Sequence, residues 1–81
     1  MRIDKFLKNA RIIKRRTVAN EACDNERISV NGRTVKASYQ VKIGDIIEVG
    51  FGTRVIKLKV TSINENAKKE NASEQYEIIE D

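Results

Sequence analysis

Apolar positions in the first ten residues recur at helical spacing. Ile3, Phe6, Leu7 and Ala10 stand at i, i+3, i+4 and i+7, which places them on one face of an amphipathic helix over about residues 3–10. Arg2, Lys5 and Lys8 fall off that face, and Asp4 lies near the N-terminus, where the helix dipole favours an acid. Residues 11–16, Arg-Ile-Ile-Lys-Arg-Arg, read as a connector. Thr17 suits the N-cap of a second helix over about residues 18–25. Val18, Ala19, Ala22 and Cys23 form its expected buried stripe, small enough to let the two helices approach closely.

The period then changes to two. Arg27-Ile28-Ser29-Val30, Asn31-Gly32 and Arg33-Thr34-Val35-Lys36 read as a hairpin, because Asn-Gly suits the type I′ turn in which both central residues need positive φ. Val30 would face Arg33, Ile28 would face Val35, and Ser29 would face Thr34. Arg27 would face Lys36, an unfavourable cation pair that Glu26 or a bound anion would relieve. Residues 42–45 read as a turn into a third strand, Ile46 to Phe51. Gly52-Thr53 then fits a tight turn into a return strand, Arg54 to Val60. In that register Ile47, Val49 and Phe51 share a face with Leu58, Ile56 and Arg54, and Glu48 lies across from Lys57. Residues 64–73 are polar and aperiodic, which predicts a loop. Gln75 to Ile79 predicts a last strand covering a sheet edge. The fold class that follows is α+β, with two N-terminal helices packed on a small antiparallel sheet.

Composition narrows the chemistry. The 81 residues contain no His, no Pro, no Trp and one Cys. A single domain over residues 1–81 is expected at this length. Without His there is no imidazole acid–base step, and one Cys allows neither an internal disulfide nor a cysteine zinc cluster. No pair of carboxylates stands out for acid–base work. No cofactor, metal or membrane span is expected. The lone Cys and the absence of an export signal predict a cytoplasmic protein.

Charge is more informative than its total. The formal net charge is +4. Residues 1–42 carry eleven basic and four acidic side chains, or +7, residues 43–63 carry +1, and residues 64–81 carry −4. Such asymmetry points to a polyanion partner for the basic half. Arg2, Lys5, Lys8, Arg11, Lys14, Arg15 and Arg16 fall within the first sixteen positions. Guanidinium forks beside a helix start suit phosphate oxygens. Two readings stand on these residues alone, a phosphate clamp and a solvated basic face. Asp4 is placed to orient one of the arginines. Of the aromatics, Phe6 and Phe51 fall on apolar faces and predict core, while Tyr39 is either a loop anchor or a base-stacking residue. So few aromatics make a poor single-strand stacking platform and better suit recognition of folded RNA by backbone and shape. Cys23 reads as core. Gly50-Phe51-Gly52 lacks the spacing of a nucleotide-binding loop.

Several of these segments together resemble the S4 RNA-binding domain. They are Arg2-Ile3-Asp4-Lys5-Phe6-Leu7, the run from Arg11 to Ala19, Ile28-Ser29-Val30-Asn31-Gly32, Val35-Lys36 and Val41-Lys42-Ile43-Gly44-Asp45. The resemblance covers about residues 1–49, with added strands expected at about 54–63 and 75–79. It implies the αL-type fold of that family, two helices on a small sheet. The motif positions it carries over are Arg2, Asp4, Lys5, Arg11, Lys14, Arg15, Arg16, Asn31 and Lys36. With Lys8 these give the expected RNA contacts, and Asp4 and Thr17 are the expected orienting residues. Many S4 domains have Gly where this chain has Glu26, as a left-handed helix cap. Asn25 is expected to take that conformation here, because Asn tolerates it.

The S4 motif is nearly the whole chain, with no synthase, synthetase or ribosomal-protein extension expected. That form is similar to the stand-alone S4 proteins of bacterial ribosome-associated quality control, which are related to a heat-shock S4 protein. The resemblance implies a non-enzymatic, monomeric factor that binds free large ribosomal subunits carrying peptidyl-tRNA. Its implied contacts are large-subunit rRNA and the tRNA, in support of a partner that tails stalled chains with alanine. Alternatives are a general S4 rRNA- or tRNA-binding protein of ribosome biogenesis or heat-shock recycling, and a small helix-turn-helix DNA-binding protein. A small subunit of a catalytic complex is a third class.

Overall fold

The computed structural model describes residues 1–63 and 75–79. Two helices, α1 (Ile3–Asn9) and α2 (Arg16–Asp24), precede five strands: β1 (Ile28–Val30), β2 (Arg33–Thr34), β3 (Ile46–Phe51), β4 (Arg54–Val60) and β5 (Tyr76–Ile78). The strands form one antiparallel sheet in the order β2-β1-β3-β4-β5. The polar stretch predicted as a loop over 64–73 lies outside the described residues.

Both helices end in the same way, and neither uses glycine. After α1, Arg11 adopts φ 61°, its N–H bonds to Lys8 O at 3.1 Å, and the Ile12 N–H bonds to Leu7 O at 3.0 Å. After α2, Glu26 adopts φ 59°, its N–H bonds to Cys23 O at 3.1 Å, and the Arg27 N–H bonds to Ala22 O at 2.9 Å. Each is a Schellman motif, in which a left-handed residue lets two N–H groups reach back to the last carbonyls. The expectation for Asn25 is thereby corrected: it is the C-cap at φ −91° and Glu26 takes the left-handed position. The two bonds returning to Cys23 and Ala22 require positive φ one residue beyond the cap, whichever side chain stands there.

The start of α2 also differs from expectation. Arg15 occupies the N-cap with extended backbone and no side-chain cap bond, so Thr17 lies inside the first turn. Winding begins two residues earlier than expected, and the Arg16 side chain in the first turn reaches Asp4. Val18 is 47% exposed, whereas Ala19 and Cys23 carry the packed face. The buried stripe is thus narrower than the sequence suggested.

Strand pairing follows the sequence pattern in part: β2 stops at Thr34, so the expected Ile28–Val35 and Arg27–Lys36 strand pairs do not form. Asn31 and Gly32 have φ 52° and 86°, as a type I′ turn requires, and Val30 pairs with Arg33 and Ser29 with Thr34. β3 and β4 pair from Ile46–Lys59 to Phe51–Arg54, with Glu48 opposite Lys57 at an N–O separation of 3.7 Å. β5 covers the free edge of β4. Ile3, Phe6, Leu7, Ile28, Ile47, Leu58 and Val60 are fully buried and join the helices to the sheet. Phe51 departs from its expected core position and is 41% exposed. It ends β3 opposite Arg54, just before the turn at Gly52.

Candidate nucleic-acid interface

The N-terminus is held by the chain that follows β2. Val41 N–H bonds to Met1 O at 2.9 Å, Ile3 N–H bonds to Tyr39 O at 2.8 Å, and Arg2 forms a bridge with Gln40. These bonds fix Arg2 at the mouth of α1. Asp4, the second residue of α1, is only 2% exposed. Its carboxylate meets Arg2 Nε at 3.3 Å through Oδ1 and Arg16 Nε at 3.3 Å through Oδ2. It also accepts the Lys5 backbone N–H at 2.8 Å and the Asn20 amide at 3.5 Å. Burial pushes the Asp4 carboxyl up, but the hydrogen bonds from Arg16, the Lys5 backbone and Asn20 outweigh it and hold the group below its ordinary value.

One buried acid therefore joins the first turn of α1 to the first turn of α2 and aligns two arginines beside it. Arg2 and Arg16 remain 43% and 48% exposed. They flank a cleft of about 450 Å³ lined also by Asp4, Thr17, Asn20 and Glu21. Holding the guanidiniums in place lowers the ordering cost of a bidentate anion contact.

A second cationic cleft lies at the other end of α1. Lys8, Arg11 and Lys14 line about 290 Å³ together with Asn9. The left-handed turn at Arg11 redirects the chain here, so Lys8 of the helix and Lys14 of the connector share one cavity. Among the described residues, no acid lines it. Arg15, exposed at the N-cap of α2, stands in the connector that leads from this cleft to Arg16.

Other expected contacts are placed differently. Lys5 is half-buried beside Asp4. Asn31 uses its side chain within the fold: its oxygen accepts the Ile46 N–H at 3.0 Å, and its amide donates to Asp45 at 3.2 Å. Lys36 lines a separate cleft with Asp24 and Glu26, where acids surround it. Thr17 borders the Arg2–Arg16 cleft without capping α2. Cys23 is buried, and burial together with the charges of Asp4 and Asp24 pushes its thiol up to about 11.

Sequence reasoning missed two polar residues. Asn20 completes the shell of Asp4, and its position one turn beyond Arg16 on α2 was the available signal. Asp45, read only as part of a turn, is 7% exposed and accepts from Asn31, from Tyr39 at 2.9 Å and from the Lys42 N–H at 3.0 Å. Burial, followed by the hydrogen bond and charge of Asp45, pushes the Tyr39 hydroxyl above its ordinary value. Tyr39 is therefore a loop anchor.

This arrangement of two short helices, a five-stranded antiparallel sheet and arginines at the helix beginnings defines a class. Residues 1–47 match the S4 domain family, and the chain belongs to it. Its relatives sharpen this. The chain is 49% identical over 81 residues to the RQC P-site tRNA stabilizing factor of Listeria monocytogenes, covering 100% of this chain and 88% of that one. It is 47% identical over 81 residues to the factor of the same name from Bacillus subtilis, covering 100% and 94%. Among solved structures, Heat Shock Protein 15 of Vibrio cholerae, described as trimeric, superposes with a TM-score of 0.90. That match is 26% identical and covers 98% of this chain and 81% of the other. No helix of the described residues is long and apolar enough to cross a membrane.

Proposed function

We propose that this chain is a non-catalytic RNA-binding factor of ribosome-associated quality control. It binds free large ribosomal subunits that carry peptidyl-tRNA, touching both rRNA and tRNA. By steadying the tRNA in the P site it supports a partner that extends the stalled chain with alanine. It acts as a single-domain monomer in the cytoplasm and leaves the chemistry to others.

The observation that carries this reading is the Asp4-centred pair Arg2 and Arg16, held on the surface at the mouths of both helices. The names of the full-length relatives support the P-site tRNA as its target. Lys8, Arg11, Lys14 and Arg15 extend the basic surface and supply phosphate contacts in this reading. Lys5 flanks that surface beside Asp4, Lys36 stands apart from it in the cleft with Asp24 and Glu26, and Asn31 serves it by holding the β1–β2 turn.

The test is cosedimentation with large subunits across a salt series. Replacing Arg15 and Arg16 with Ala weakens association and flattens its salt dependence. Unchanged cosedimentation would overturn the reading.

A further inference from the structure

Beside the arginine cleft lies an apolar groove that the phosphate contacts do not use. It holds about 300 Å³ between α2 and the β3–β4 hairpin, with Ile13, Val18, Ala22 and Phe51 among its walls. Val18 and Phe51 are 47% and 41% exposed. Gly50 and Gly52 stand on either side of Phe51, and a Cβ built at Gly52 would meet nothing within 4 Å. A Cβ at Gly50 would instead meet Arg27 O at 3.4 Å, so the groove is closed on that side by the Arg27 backbone and open at Gly52.

The rim is polar. Glu21, Asn25 and Arg27 border the groove and are exposed. Arg54 pairs with Phe51 across the hairpin. An apolar floor with a few polar groups at its edge is the usual composition of a site for one small planar group. Glu21 also lines the Arg2–Arg16 cleft, so the groove and that cleft meet along one face of α2.

We infer that this groove takes one unpaired nucleobase of the RNA strand held at Arg2 and Arg16, stacked on Phe51 and edged by Glu21, Asn25 and Arg27. The inference rests on the RNA-binding reading above and deepens it. Single-stranded, bulged or looped RNA offers such bases, whereas an unbroken duplex does not. Continuity with the arginine cleft and the cation Arg27 on the rim favour a base on a phosphate chain over an apolar protein side chain.

The test uses the full chain and two probes, an RNA hairpin with one bulged fluorescent adenine analogue and the same hairpin fully paired. The bulged hairpin is expected to bind about fivefold or more tightly than the paired one, with a change in base fluorescence. Phe51→Leu abolishes that preference and leaves paired-hairpin affinity intact; Val18→Glu, at an exposed helix position, abolishes it too, with the weakening of both hairpins that an added acid brings. Phe51→Tyr retains it. Arg2→Ala with Arg16→Ala weakens both hairpins. Equal binding of the two hairpins by the unaltered chain overturns this inference alone. Binding of neither overturns the RNA reading and this inference with it. If Val18→Glu instead releases a copurifying protein while the bulge preference persists, the groove belongs to a protein and the inference fails.

Discussion

Arg16 Nε lies 3.3 Å from Asp4 Oδ2, so the first residue of α2 is tied to the first turn of α1 across the connector. The acid is buried and the arginine is half-exposed. That asymmetry makes Asp4 an orienting group and leaves Arg16 accessible to an anion.

Replacing Asp4 with Ala removes the acceptor for Arg2, Arg16, Asn20 and the Lys5 N–H together. A loss of about 2 kcal/mol of stability is expected, since these are charge-assisted bonds with half-exposed partners. RNA affinity falls as well, although an acid has been removed from a basic surface. Urea denaturation and a binding titration on the same variant check both effects.

Acid should act through the same residue. The folded-state value of Asp4 is depressed below 3.8. Its contribution is therefore fully present above that pH and is lost as pH falls through the depressed value. An Asp4→Asn variant loses this part of the acid dependence, and its stability relative to the native chain improves as pH drops below about 4. Denaturation midpoints measured from pH 7 down to pH 2 test it.

The two left-handed caps separate stability from binding. Glu26→Gly relieves a strained residue at φ 59° and is expected to raise stability by about 1 kcal/mol with RNA affinity unchanged or improved. Arg11→Gly relieves φ 61° in the same way but removes a cation from the Lys8–Arg11–Lys14 cleft. That variant should be more stable and bind RNA less well. Chemical denaturation paired with a salt titration distinguishes them, with the slope of the Arg11 variant reduced by about one.

Asp45 is a second organising acid, joined to Asn31, Tyr39 and the Lys42 N–H. Asp45→Ala leaves Tyr39, Asn31 and the Lys42 N–H without their common acceptor. The expected cost is about 1–3 kcal/mol. Tyr39→Phe removes one of the three bonds and costs about 1 kcal/mol. Because the residues following Tyr39 hold the N-terminus, Asp45→Ala also loosens Arg2. Hydrogen exchange at the Ile3 and Val41 amides reads that loosening directly.

Much of the architecture was legible because it is local. The helical spacing of Ile3, Phe6, Leu7 and Ala10, the Asn31-Gly32 turn and the two-residue alternation from Ile46 to Val60 each report a backbone state within a few residues. The β3–β4 register follows from its turn, so the Glu48–Lys57 pair is readable in the sequence. The basic cluster was readable as a set of charges. Its division was not: Arg2 and Arg16 gather at Asp4, Lys8, Arg11 and Lys14 gather at a second cleft, and Lys36 joins neither.

The sequence by itself determined the element order, the β3–β4 register, the α+β class and the concentration of positive charge in residues 1–42. Periodicity and turn chemistry act over short spans, which is why they can be read directly. Only the tertiary structure decided that Glu26 rather than Asn25 turns left-handed, that Asn31 serves a turn, and that Val18 and Phe51 face outward. Those outcomes depend on how helices and sheet pack, and on which carbonyls remain for two returning N–H groups. Such long-range geometry brought Asp4 within reach of Arg16, twelve positions away, and made one surface of two helix beginnings.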